Sequence, residues 1–171
     1  PGDVIFTAGE LGTSGAGLQD ILAGRCDTPA AAVHRNPQPQ VAEGIWLGSH
    51  PEVRAMMDLS DGLASDLKHI LDRSGVGAEV AVEQIPAAPG ADVRMAACSG
   101  EDYKLLLTAA PEAAERLAAD FRIRFAIKKS FALQAYHSNN YKFIPANPKI
   151  FHSQSHASSC PLPQVLSLIH I

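Results

Sequence analysis

The sequence predicts a layered α+β domain across its first 120 or so residues, and three observations carry that reading. Short apolar runs bounded by turn residues recur, as in Val4-Ile5-Phe6-Thr7 and Ala55-Met56-Met57; they have the length of strands rather than helices. Other segments place apolar residues at helical spacing: Leu63, Leu67, Ile70 and Leu71, then Ala114, Leu117 and Phe121. The two kinds interleave, and a helix stripe or a sheet face can be buried only against another layer.

Taken in order, the Pro1-Gly2-Asp3 turn leads into a buried strand over 4–7. Ser14 is placed to cap a helix carrying Leu18, Ile21 and Leu22 on its inner face. Pro37 and Pro39 punctuate the approach to a second short helix, with Val41, Ile45 and Trp46 inward. The strand at 55–57 runs into Asp58, and a helix from about 61 to 71 follows and stops at Ser74-Gly75. Ala78, Val80 and Val82 alternate with Glu79 and Glu83, the pattern of a half-exposed strand. A further strand spans 103–108, and Pro111 opens a last helix with Ala114, Leu117 and Phe121 inward.

A chain of 171 residues has room for one full domain, or one domain with a tail. Its apolar fraction of 46% supplies a core, and no run approaches the roughly 18 apolar residues of a membrane span. No signal-peptide pattern opens the chain. It starts at Pro1 rather than Met, so its natural start is expected upstream. A net charge of −4 argues against a nucleic-acid partner. The three cysteines, Cys26, Cys98 and Cys160, are far apart and form no CxxC. Neither a disulfide framework nor a zinc site is expected, and a cytoplasmic setting is.

The chain changes character near residue 122. All 18 Asp and Glu lie at or before Asp120; at that density the last 51 residues should hold about eight, and they hold none. The same region is rich in Ser, Asn, Lys and His, with no sustained apolar period. A flexible basic tail would account for this. A frameshift or read-through junction accounts for it better, which divides the chain into a domain at 1–122 and a poorly ordered, non-homologous tail at 123–171. His152 and His156 stand four apart, but no third metal ligand accompanies them.

Three stretches could carry chemistry. In Asp58-Leu59-Ser60-Asp61-Gly62 two carboxylates and a hydroxyl sit where a strand turns into a helix. A helix entrance attracts anions, and hard carboxylate oxygens suit Mg²⁺ completed by phosphate oxygens. Asp58 would also lie at the carboxyl end of a strand, where open sheets place ligands. The competing explanation is structural: Ser60 or Asp61 as an N-cap, and Asp58 closing a turn. Gly62 and His69 fall at the wrong places for a calcium loop. In Ser99-Gly100-Glu101-Asp102-Tyr103-Lys104 a turn lifts two adjacent carboxylates to a strand entrance, where only one can point into a site. The third stretch is glycine-rich, Gly9-Glu10-Leu11-Gly12-Thr13-Ser14-Gly15-Ala16-Gly17. It could bring backbone N–H groups to a phosphate, or simply reverse the chain tightly; it is neither a P-loop nor a GxGxxG.

Together, in this order, the TAGELGTSGAGL, MDLSDGLASDLKHIL and SGEDYKLL segments resemble the thiamine-monophosphate kinase family. The resemblance covers about 1–122 and only the C-terminal domain, within the superfamily of aminoimidazole ribonucleotide synthetase-like ATP-binding enzymes. It implies an α+β domain with a mixed sheet packed by helices. It also implies transfer of the γ-phosphoryl group of ATP to thiamine monophosphate, giving thiamine diphosphate. Asp58 and Asp61 would bind Mg²⁺, Ser60 would contact ATP and Glu101 the thiamine substrate, with no catalytic residue assigned. An N-terminal domain, through which the family homodimerises, would lie upstream, so the chain alone is expected to be inactive. The sequence departs from the family pattern at Ser99, at Lys104 and in Asn36-Pro37-Gln38-Pro39-Gln40, where Gln40 stands for an arginine. A non-catalytic ligand-binding or interaction domain of this fold, or another ATP-using enzyme of the superfamily, is the alternative.

Overall fold

The computed structural model describes residues 2–126 and the backbone of two short segments, 131–134 and 142–144. The sheet at its centre has four antiparallel strands in the order β2-β4-β1-β5: β1 (Val4–Thr7), β2 (Val53–Asp58), β4 (Leu105–Ala109) and β5 (Phe131–Gln134). A second pair, β3 (Glu79–Ala81) with β6 (Lys142–Ile144), is parallel. The α+β class therefore holds, and parallel pairing is confined to the small sheet. β5 and β6 lie in the segment for which the sequence predicts no strands. The order of the rest of that segment lies outside the described residues.

Alternation on β1 and β4 separates two cores. Ile5 and Leu106 face one cluster, completed by Leu59, Leu63, Leu67, Val80 and Ala97. Phe6 and Leu107 face the other, with Leu47, Leu117 and Phe121. The first is closed by α4 (Leu63–Ser74), β3 and α5 (Val93–Cys98), the second by α3 (Val41–Gly48) and α6 (Ala114–Phe125). The predicted inward residues of α4, β3 and α6 are buried as expected. Gly75 ends α4 in the left-handed conformation.

Two helices turn the other way from the prediction. On α1 (Thr13–Leu22), Leu18 and Leu22 are 42% and 78% exposed, while Ser14, Ala16 and Gly17 are buried. The small residues win because α1 packs at near backbone contact: a Cβ on Gly17 would lie 2.1 Å from the Ala30 carbonyl oxygen. Its partner there is α2 (Pro29–Arg35), a helix missing from the prediction although Thr28-Pro29 announces it. The Thr28 hydroxyl accepts from the Ala31 N–H at 3.1 Å, and Pro29 takes a first-turn position. On α3, Val41 and Ile45 are 63% and 72% exposed. Trp46 does point inward, with ring centroids 5.9 Å from both Phe121 and Phe125. The sequence also gives no sign of a helix at α5 beyond Asp92, whose carboxylate accepts from the Met95 N–H at 2.7 Å.

Cys26 is an exposed free thiol. Cys98 is disulfide-bonded, where the sequence leads one to expect no disulfide framework. Among the described residues no helix is long and apolar enough to cross a membrane.

Candidate functional site

The loop after β2 and the loop before β4 are joined along their backbones. Leu59 N–H donates to the Lys104 carbonyl at 2.8 Å, Tyr103 N–H to the Leu59 carbonyl at 2.9 Å, and Glu101 N–H to the Ser60 carbonyl at 2.7 Å. The approach depends on Gly100: its φ is +66°, and a Cβ there would lie 2.6 Å from the Ser60 carbonyl oxygen. Glu101 and Tyr103 are also left-handed, at φ 58° and 48°. Non-glycine residues are held this way at a cost of about 1–2 kcal/mol each, so the surrounding bonds must enforce it. The result is a corner at which Glu101 faces solvent and Asp102 is buried.

Each buried carboxylate does structural work. Asp102 accepts from the Gly12 N–H at 2.6 Å and the Ser14 N–H at 3.1 Å, so it caps α1 from 90 residues away. The Gly12 and Ser14 N–H groups of the glycine-rich turn are thus already engaged by Asp102 and are not offered to a phosphate, which favours the tight-turn reading of that stretch. Ser14 does not cap α1 either; Gly12 takes that position, and the buried Ser14 hydroxyl lies 2.7 Å from His34 Nδ1. Asp66, 1% exposed within α4, accepts from the Ser60 N–H at 2.8 Å and the Asp61 N–H at 3.0 Å. Burial pushes both carboxyls above the ordinary value of 3.8, with the N–H donors partly opposing it. Asp66 lies inside the MDLSDGLASDLKHIL segment, yet the sequence reading assigns it no role, although a polar residue on the apolar face of α4, one before Leu67, is a visible signal.

Asp58 and Asp61 are exposed at the same corner, with Ser60 half-buried between them. Helix α4 begins at Leu63 behind Gly62, with no side-chain cap. The N-cap explanation for Ser60 and Asp61 is therefore excluded. No described residue hydrogen-bonds or ion-pairs with the side chain of Asp58 or Asp61. Tyr103 reports how near the acidic groups lie. Its hydroxyl donates to Glu101 Oε2 at 3.0 Å. Its pKa is raised by that bond first, then by the Glu101 charge, by burial, and by the charges of Asp58 and Asp61. Among the described residues no group of three or more His, Cys, Asp or Glu is gathered as a metal cage. β2 runs antiparallel to its neighbour β4, so the parallel-sheet rule for ligand placement does not apply to Asp58.

Two family departures have structural explanations. Gln40 bridges the sheet: its Nε2 donates to the Ala8 carbonyl and its Oε1 accepts from the Leu105 N–H, both at 2.8 Å. Lys104 lays its stem near Gly9, and its charge tempers the rise in the Asp102 pKa.

Comparisons with known proteins agree with this architecture. The family model described as AIR synthase related protein, C-terminal domain, matches residues 1–125. A thiamine-monophosphate kinase of Haemophilus influenzae is 36% identical over 129 residues, covering 68% of this chain and 39% of that protein. That of Salmonella typhimurium is 38% identical over 122 residues, covering 63% and 37%. A solved thiamine-monophosphate kinase from Stenotrophomonas maltophilia K279a superposes with a TM-score of 0.71 at 25% identity, covering 83% of this chain and 50% of that one. The chain thus spans about two fifths of the curated relatives it matches. On the fold, the three motifs and these relatives together, the chain belongs to the family of AIR synthase related proteins as their C-terminal domain, in the form found in thiamine-monophosphate kinases.

Proposed function

We propose that this chain supplies the C-terminal half of an ATP-dependent thiamine-monophosphate kinase. One observation carries the assignment. At the joined loops the fold buries two carboxylates, Asp66 and Asp102, as internal caps and leaves Asp58, Asp61 and Glu101 exposed, without a cation partner among the described residues. Exposed carboxylates gathered at one corner are what a metal–polyphosphate ligand requires. The solved relative titled AaThiL complexed with AMPPCP and TMP, at 25% identity with a TM-score of 0.67, supports a nucleotide and a thiamine phosphate as the ligands.

Asp58 and Asp61 fit Mg²⁺, which takes one or two carboxylates and completes its shell with water and phosphate oxygens. When bound, the ion would neutralise charge on the transferring phosphoryl group. Asp58 and Asp61 hold it at the corner, and Ser60, between them, contacts the nucleotide. Glu101, steadied by the Tyr103 hydroxyl, orients the thiamine substrate. Positioning of the two substrates does most of the remaining work in such transfers.

The absence of a third described metal ligand favours a second reading, a ligand-binding domain without turnover. ADP release by the purified chain, with and without the N-terminal half of a thiamine-monophosphate kinase, decides between them. No turnover by the chain alone and turnover on complementation is the expected result; binding without turnover in both arms selects the second reading.

A further inference from the structure

We propose that Asp66 is a positioning residue for this corner: it fixes the Ser60–Asp61 turn so that Asp61 is presented beside Asp58. The functional half of this inference rests on the metal reading above. A single buried oxygen, Asp66 Oδ2, accepts both the Ser60 and the Asp61 N–H. Among the described residues no other side chain accepts from these two amides, and the α4 entrance carries no side-chain cap. On its carbonyl side Ser60 accepts from Glu101 N–H, so the Asp66 contact also sets where the Glu101 loop docks. A buried carboxylate is costly unless hydrogen-bonded, and its placement within α4 makes it as rigid as the helix that bears it. Asp66 thus stands to the candidate metal carboxylates as an outer partner stands to a ligand, orienting it without touching the ion.

One oxygen doing both jobs makes the inference testable. Asp66→Asn retains an acceptor oxygen, Asp66→Ala removes it, and Asp66→Glu displaces it by one methylene while keeping the charge. The full ¹⁵N-labelled chain is the sample. Amide exchange is read first, without metal, and Mn²⁺ binding second, through broadening of the amide signals of 58–62. In Asp66→Ala the Ser60 and Asp61 amides should exchange about ten-fold faster than in the parent, while the Asp102-bonded amides of Gly12 and Ser14 keep their rates. Asp66→Asn should stay within about three-fold of the parent. Mn²⁺ affinity should fall about five-fold or more in Asp66→Ala and be retained in Asp66→Asn. Unchanged Ser60 and Asp61 exchange in Asp66→Ala overturns the proposal, as does equal acceleration at Gly12 and Ser14, which marks global loosening. If Asp66→Ala does not fold, Asp66→Glu decides: parent-like exchange and Mn²⁺ affinity there overturn it. If the parent itself binds no Mn²⁺, the metal reading of Asp58 and Asp61 fails, and amide exchange still decides whether Asp66 holds the turn.

Discussion

Asp58 and Asp61, which flank Ser60, and Glu101, whose N–H donates to the Ser60 carbonyl, are expected to fail in different ways when altered. In an enzyme completed with its N-terminal half, Asp58→Asn and Asp61→Asn should lower kcat by about ten-fold or more, since their contact is with charge that develops in transfer. Glu101→Gln should chiefly raise the KM for thiamine monophosphate. Steady-state kinetics of the three variants is the check, and parent-like constants in all three remove the residue assignments. Asp102 carries a prediction about pH. Its folded pKa is raised by burial above the ordinary 3.8, so between those two values the folded chain binds more protons than the unfolded one. Its contribution is fully present below 3.8 and is lost as the pH climbs through the raised value. Asp102→Asn should therefore show a shallower decline of denaturation midpoint with rising pH than the parent does.

Helix α1 is set by steric contact rather than by its apolar stripe. Ala at Gly17 would gain about 0.8–1 kcal/mol of helix propensity. Against that stands a Cβ driven to 2.1 Å from a backbone oxygen of α2, which cannot rotate away. Overpacking costs about 1–3 kcal/mol, so the clash wins, and Gly17→Ala should lower the midpoint of urea unfolding. An unchanged or raised midpoint would show that α2 shifts freely. β5 poses a question of the same scale. The sequence places a boundary at 122, yet residues 131–134 pair antiparallel with β1, Val4 opposite Gln134 and Thr7 opposite Phe131. Strand pairing shields backbone from proteases, so limited proteolysis should leave a core fragment extending past 134. A core ending at 122–126 would restore the boundary that the sequence composition suggests.

At the scale of the molecule, two cores on opposite faces of one antiparallel sheet leave the joined loops 58–62 and 99–104 at one end of β2 and β4. The loops are therefore tied to the strands that hold both cores, and their hydrogen bonds cannot be lost without cost to the sheet. The exposed carboxylates occupy a corner, not an enclosed cleft. In the function proposed above, the other wall would come from the remaining length of such relatives, of which this chain spans about two fifths. It is also the physical reason for expecting no turnover without complementation.

The sequence by itself determined the class of fold, the positions of β1, β2, α4, β4 and α6, and the segments 58–62 and 99–104 as the places to look. These follow from local periodicity and turn chemistry, which act over a few residues. It could also say that only one of Glu101 and Asp102 faces a site, because adjacent side chains diverge. Which of the two is exposed was a tertiary decision, made by three left-handed residues in the corner and by N–H groups 88 and 90 residues away. The same holds for Asp66, whose partners Ser60 and Asp61 lie beyond the turn of helix that a pattern reads. Leu18, Leu22, Val41 and Ile45 were misassigned to the core because an apolar side chain does not reveal whether a neighbouring helix needs its space. On α1 the close approach at Gly17 settled that, and the leucines turned outward.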